Sequence, residues 1–178
     1  MSGTSKFVKV ASPLVLLVLG VASSGCQDGL TETRTFACPP RAPFEAHVSE
    51  LMERRCGTLD CHGSDFRPLR IYGEDGLRSP RENNRTAGAP TTATERADNY
   101  FSLCAVEPEQ MEKVVSNPGG SAVNTLLLVR KARGQEGHKG GKVFNPFDDA
   151  DRCVVGWLRG DTEKSVAEAC QAALAKLP

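Results

Sequence analysis

Cysteines at positions 26, 38, 56, 61, 104, 153 and 170 constrain this chain more than any other feature. Whether they cross-link depends on compartment. Disulfides persist in oxidising surroundings and are rare where thiols are kept reduced. The N-terminus carries the relevant signal. Lys6 and Lys9 form a short basic stretch, and Val10 to Val21 is apolar apart from Ser12, Pro13 and Gly20. That run is shorter than the roughly 20 apolar residues of a membrane span. Residues 1–25 therefore read as an export signal, to be set aside when reasoning about the fold.

Ser23-Ser24-Gly25-Cys26 closes the apolar run with small residues and a cysteine. This resembles a bacterial lipobox, with Ser23 where a Leu is usual. The resemblance implies a lipid on Cys26, a membrane anchor and a location in the cell envelope, on the periplasmic or outer side. The alternative is an ordinary cleaved signal. Residues 26–42, polar and proline-containing, read as a tether, and 43–178 as one domain. From 22 basic and 22 acidic residues, loss of Lys6 and Lys9 leaves a formal charge of −2. That balance gives no reason to expect a nucleic-acid partner. Aromatic residues make up only 6 % of the chain, so the core is thin and gains from cross-links or a large apolar cofactor.

Residues 56–62 read Cys-Gly-Thr-Leu-Asp-Cys-His. Two thiols followed directly by an imidazole approach the C-x-x-C-H attachment site of c-type haem, where the cysteines bond to the porphyrin edge and the histidine binds iron. The spacer is four residues instead of two, a length found in some multihaem cytochromes. On this reading Cys56 and Cys61 are the thioether residues and His62 the proximal ligand of one covalent haem c. The alternative is a disulfide loop followed by an unrelated histidine. After lipidation of Cys26 six cysteines remain, and four if two carry haem, so parity favours neither. Zinc on Cys56, Cys61, His62 and His138 satisfies the tetrahedral ligand count. However, the side chains of neighbouring Cys61 and His62 diverge.

The periodicity predicts a mostly α domain with long loops. Phe44, Val48, Leu51 and Met52 mark a helix over 44–55, with Pro43 in its first turn. Leu69 to Tyr72 reads as a short extended piece, and 73–92 as a long surface loop. A helix follows over 94–105. The segment after Pro108 reads as a short helix or strand with Met111 facing solvent. Ser121 is expected to cap a helix carrying Leu126 to Leu128, closed by Gly134. Asp148 and Asp149 precede a helix holding Cys153 and Trp157. After Gly160, Asp161 is expected to cap the last helix, with Val166, Ala169, Cys170 and Ala173 along one side. Antiparallel packing of these two helices brings Cys153 and Cys170 to similar heights, which predicts a disulfide-stapled C-terminal hairpin. Cys38–Cys104 follows by elimination.

The order of these parts resembles the planctomycete-type cytochrome c domain. The matching parts are Arg54-Arg55-Cys56 running into Cys61-His62-Gly63 and then Asn117-Pro118-Gly119-Gly120-Ser121. Leu126 to Arg130, Gly137-His138-Lys139-Gly140-Gly141 and Cys153 to Leu158 follow. The resemblance spans about residues 44–160 and implies a small cytochrome c-like helical domain that carries electrons to a redox protein partner. Such domains often place a Met ligand before the last helix. Here no Met follows Met111, and His138 stands in that loop. It is the expected sixth ligand, ahead of Met111, Met52 and His47, and its alternative is a solvated loop histidine.

Other chemistry finds little support. Gly140-Gly141-Lys142 lacks the spacing and the Ser/Thr of a P-loop. Asp148, Asp149 and Asp151 have no EF-hand spacing and read as helix N-terminal charges. Arg67, Arg70, Arg78, Arg81 and Arg85 are interleaved with acids and read as solvated surface. No acid–base pair stands out, so an electron carrier is expected rather than an enzyme. The rival is a haem-free envelope lipoprotein with a structural or binding role, stapled by three disulfides including Cys56–Cys61.

Overall fold

A computed structural model describes residues 35, 37–82, 86 and 88–178. The expected signal segment, the lipidation site Cys26, most of the tether and Arg85 lie outside the described residues. What is described is mostly helical, with long loops and two disulfides.

The first helix, α1, begins at Arg41–Pro43, passes through a π-helical turn at Phe44–Val48 and continues as Ser49–Cys56. Its apolar stripe, Phe44, Val48, Leu51 and Met52, is buried. Phe44 packs its ring 4.9 Å from Trp157 and 5.8 Å from Tyr100, centre to centre. The body starts earlier than the tether reading expects. Cys38 is bonded to Cys104, the Pro39 carbonyl accepts from the Tyr100 hydroxyl, and the Pro40 carbonyl accepts from Trp157 Nε1. Each of those bonds satisfies the polar end of a largely apolar ring.

Helix α2 (Ala93–Ala105) starts with a full capping box between Thr92 and Glu95. Glu95 is fully buried and pairs with Arg78 at 2.6 Å, so Arg78 belongs to the interior and not to a solvated surface. Asn99, also buried, accepts from the Tyr72 amide and donates to the Tyr72 carbonyl. One side chain thus does for the 69–72 segment what a neighbouring strand would do.

Helix α3 (Pro108–Val115) follows, and its Met111 is buried rather than facing solvent. The acidic neighbours that suggest exposure lie on the other side of a helix with a strongly apolar stripe. Ser121 does not cap the next helix. A 3-10 turn at Ser121–Thr125 intervenes before α4 (Leu127–Ala132), and the Glu107 carboxylate accepts the Leu127 amide instead.

Helices α5 (Asp149–Arg159) and α6 (Glu163–Leu174) form the antiparallel C-terminal hairpin. Asp148 caps α5, and Gly160 closes it in the left-handed region at φ 77°. Thr162, not Asp161, caps α6, because the Asp161 amide already closes the end of α5 on the Gly156 carbonyl. Cys153 and Cys170 are bonded, with Cα atoms 4.7 Å apart. The core gathers around Trp157, Phe44, Leu51, Leu126 and Leu158.

Candidate cofactor site

Helix α1 ends at Cys56, and the chain turns at once on Gly57. The Cys61 amide returns to the Thr58 carbonyl, and the His62 amide to the Cys56 carbonyl at 2.8 Å. This knot closes because three glycines let backbones touch. A Cβ on Gly63 would stand 1.8 Å from the Gly57 carbonyl oxygen, and one on Gly76 1.9 Å from the same atom. The Ile71 amide then donates to the His62 carbonyl, so the 69–72 segment holds the histidine from behind.

The His62 Nδ1 pairs with the Leu69 carbonyl at 2.9 Å. A carbonyl only accepts, so Nδ1 carries the proton and Nε2 keeps its lone pair. His138 shows the same arrangement, with Nδ1 2.8 Å from the Gly141 carbonyl. Backbone carbonyls in this position are the usual partners of metal-binding imidazoles, because they fix the tautomer. Burial, the larger effect, pushes the His62 pKa below its ordinary 6.5, and nearby His138 and Arg67 push the same way, against the Leu69 carbonyl. The neutral, ligating form is favoured.

The chain brings these two histidines, remote in sequence, together. Their ring centres are 6.0 Å apart and their planes lie within 21° of parallel. That spacing lies within the range of offset-stacked rings, about 4.5–7 Å between centres. Two imidazoles sharing one metal, each nitrogen about 2 Å from it, stand about 6 Å apart centre to centre. The ring-centre spacing is therefore shared by an offset-stacked pair and by two imidazoles on one metal.

The loop bearing His138 is fastened at both ends. The Val143 and Phe144 amides both donate to the Ala132 carbonyl, and Lys131 Nζ donates to the Gly137 carbonyl. Arg55, next to Cys56, reaches across and donates to the Val143 carbonyl at 2.7 Å. That bond ties the motif helix directly to the His138 loop. Nothing in an Arg-Cys dipeptide reveals that tie.

Cys56 and Cys61 form no disulfide in the structure, and both are partly buried. Burial around the sulfur pushes the Cys56 thiol up to about 12, against a smaller opposing effect of Arg55. Among the described residues no group of three or more His, Cys, Asp or Glu side chains is arranged to hold a metal ion, so the four-ligand zinc site is not assembled.

The weaker ligand candidates sit elsewhere. Met52 and Met111 are core residues, and the His47 ring lies 3.3 Å from Glu163 on α6. Leu59 and Phe66, on the motif loop, are 66 % and 93 % exposed. No described helix is long and apolar enough to cross a membrane. No protein-family model, curated protein or solved structure matches the chain.

Proposed function

We propose that this protein is an envelope lipoprotein, anchored through Cys26, that carries electrons on one covalent haem c. Cys56 and Cys61 would hold the haem through thioethers, and His62 and His138 would ligate its iron. The observation that supports this most is the histidine pair: two imidazoles 6.0 Å apart centre to centre, each with its Nδ1 on a backbone carbonyl and its Nε2 left for a ligand. The free thiols beside His62 are the second support. Haem supplies a one-electron iron couple, and two imidazoles hold it at a lower potential than a His/Met pair does. The chain's own contribution is positional. Leu69 and Gly141 orient the imidazoles, Arg55 ties the two ligand-bearing segments, and the glycine knot fixes His62 relative to both cysteines. Exposed Leu59 and Phe66 lie within the attachment loop and offer apolar cover for a flat macrocycle.

The experiment is expression with the haem-attachment machinery, followed by haem staining of a denaturing gel and absorption spectroscopy. Covalent stain and low-spin bis-imidazole bands are expected, and the bands should vanish in His138→Ala while the stain remains. If His138→Ala keeps the parent spectrum, His138 is only a loop residue. Unstained protein with a Cys56–Cys61 disulfide would instead favour the haem-free, disulfide-stapled lipoprotein. Mass spectrometry of the mature N-terminus tests the anchor, because an unmodified N-terminus at another position excludes lipid on Cys26.

A further inference from the structure

Away from the histidine pair, a cleft of about 270 Å³ opens between α5 and the turn that precedes the 3-10 segment. This is just below the usual range for ligand sites, about 300–1,000 Å³, and suits a small molecule. Two features of its lining stand out. Phe147 sits at φ 70°, a left-handed backbone that a bulky L-residue rarely adopts, and it is 80 % exposed. Its amide donates to Asp151 Oδ2 at 2.8 Å, which secures the conformation. A strained backbone thus holds an aromatic ring in water at the mouth of a cleft, and such strain concentrates at ligand clamps.

The second feature is Arg159. Its Nε is buried and has no hydrogen-bond acceptor among the described residues; Asp161 comes only to 3.8 Å, an ion-pair distance. The side chain as a whole is 41 % exposed, so an acceptor that enters the cleft can reach it. The other lining charges do not supply it. Arg133 is matched by Asp151, and Arg152 shares Asp149 with Lys176. Three arginines and two aspartates line the cleft, and Arg159, with Asp161 at 3.8 Å, is the most loosely paired of the three.

We infer that this cleft binds a small carboxylate carried on a flat, unsaturated ring, with Arg159 taking the carboxylate and Phe147 the ring face. A guanidinium fork matches two carboxylate oxygens, and an aromatic side chain held at the rim stacks on a planar group without further ordering cost. The site is independent of the haem reading, since none of its lining residues belongs to the histidine pair or the attachment loop.

The test is a titration of the full chain, disulfides intact, with sodium benzoate, followed through the amide signals of Phe147, Arg159 and Gly119 by NMR. Acetate, which lacks the ring, and benzamide, which lacks the charge, serve as controls. Benzoate should saturate these signals and bind about tenfold more tightly than either control. Arg159→Gln should weaken benzoate by about tenfold. Phe147→Gly, which removes ring and strain together, should fold and should erase the preference for benzoate over acetate. Shifts that rise linearly and equally for all three compounds overturn the assignment. So does an Arg159→Gln protein that binds like the parent, or a Phe147→Gly protein that keeps the preference.

Discussion

Asp151→Ala should be among the most damaging single changes outside the apolar core. Asp151 and Arg133 expose only 3 % and 7 % of their side chains. Arg133 donates from Nε and Nη2 to the two carboxylate oxygens at 2.7 and 2.9 Å, and from Nη1 to Asn124 at 2.6 Å. Asp151 Oδ2 also accepts the Phe147 amide. Truncating the carboxylate leaves a guanidinium in a desolvated place with one acceptor. Breaking a buried pair from one side costs about 3–5 kcal/mol. Against a total stability of roughly 5–15 kcal/mol, that removes a large share. With a urea m-value of about 2 kcal/mol per molar, the midpoint should fall by about 2 M.

The pair also joins the end of α4 to the start of α5, so it holds both ends of the segment carrying His138. The His138 ring signals in NMR should therefore broaden or shift in Asp151→Ala, although the two residues are not in contact. Urea unfolding followed by circular dichroism measures the energy. The double variant Arg133→Met/Asp151→Leu, which replaces the charges by apolar volume, should recover most of the loss. A loss below about 1 kcal/mol for Asp151→Ala would put the pair in the class of surface ion pairs and refute the reasoning.

Cys153→Ser opens the hairpin staple across a separation of 17 residues and should cost about 3 kcal/mol, read from the thermal midpoint of non-reduced protein. Gly63→Ala drives a Cβ to 1.8 Å from the Gly57 carbonyl; it should cost about 1–3 kcal/mol and expose the 57–77 amides to hydrogen exchange, and a parent-like exchange pattern would argue against the knot. Glu53, which accepts from Ser49 at 2.6 Å, has its pKa raised above 4.5 chiefly by burial, so the folded state holds that proton more tightly than the unfolded chain. Stability should therefore fall as pH rises from 4.5 through the raised folded value, and Glu53→Gln should flatten that slope; urea midpoints at about pH 4 and about pH 7 check it, and an unchanged slope assigns the effect elsewhere.

Periodicity marks most of the helices here, though not the Pro108 segment, because each buries a stripe against neighbours and the stripe recurs every three to four residues. Phe44, Val48, Leu51 and Met52 show it in α1, and Val166, Ala169, Cys170 and Ala173 in α6. The Cys153–Cys170 staple is legible for the same reason, since two antiparallel helices joined at Gly160 have calculable heights. Cys56, Cys61 and His62 stand out because their order is local. Tertiary structure decides what involves partners far along the chain. Arg78 becomes an interior cation only because Glu95 is folded beneath it, and Met111 is buried despite its acidic neighbours. Glu107 replaces Ser121 as the group that meets the start of α4. His138 is one histidine in a Gly/Lys loop until Ala132, Lys131 and Arg55 fasten that loop and bring its ring to His62. Side-chain bonds to backbone atoms far along the chain leave no periodic trace in a sequence, and the shape of this site depends on them.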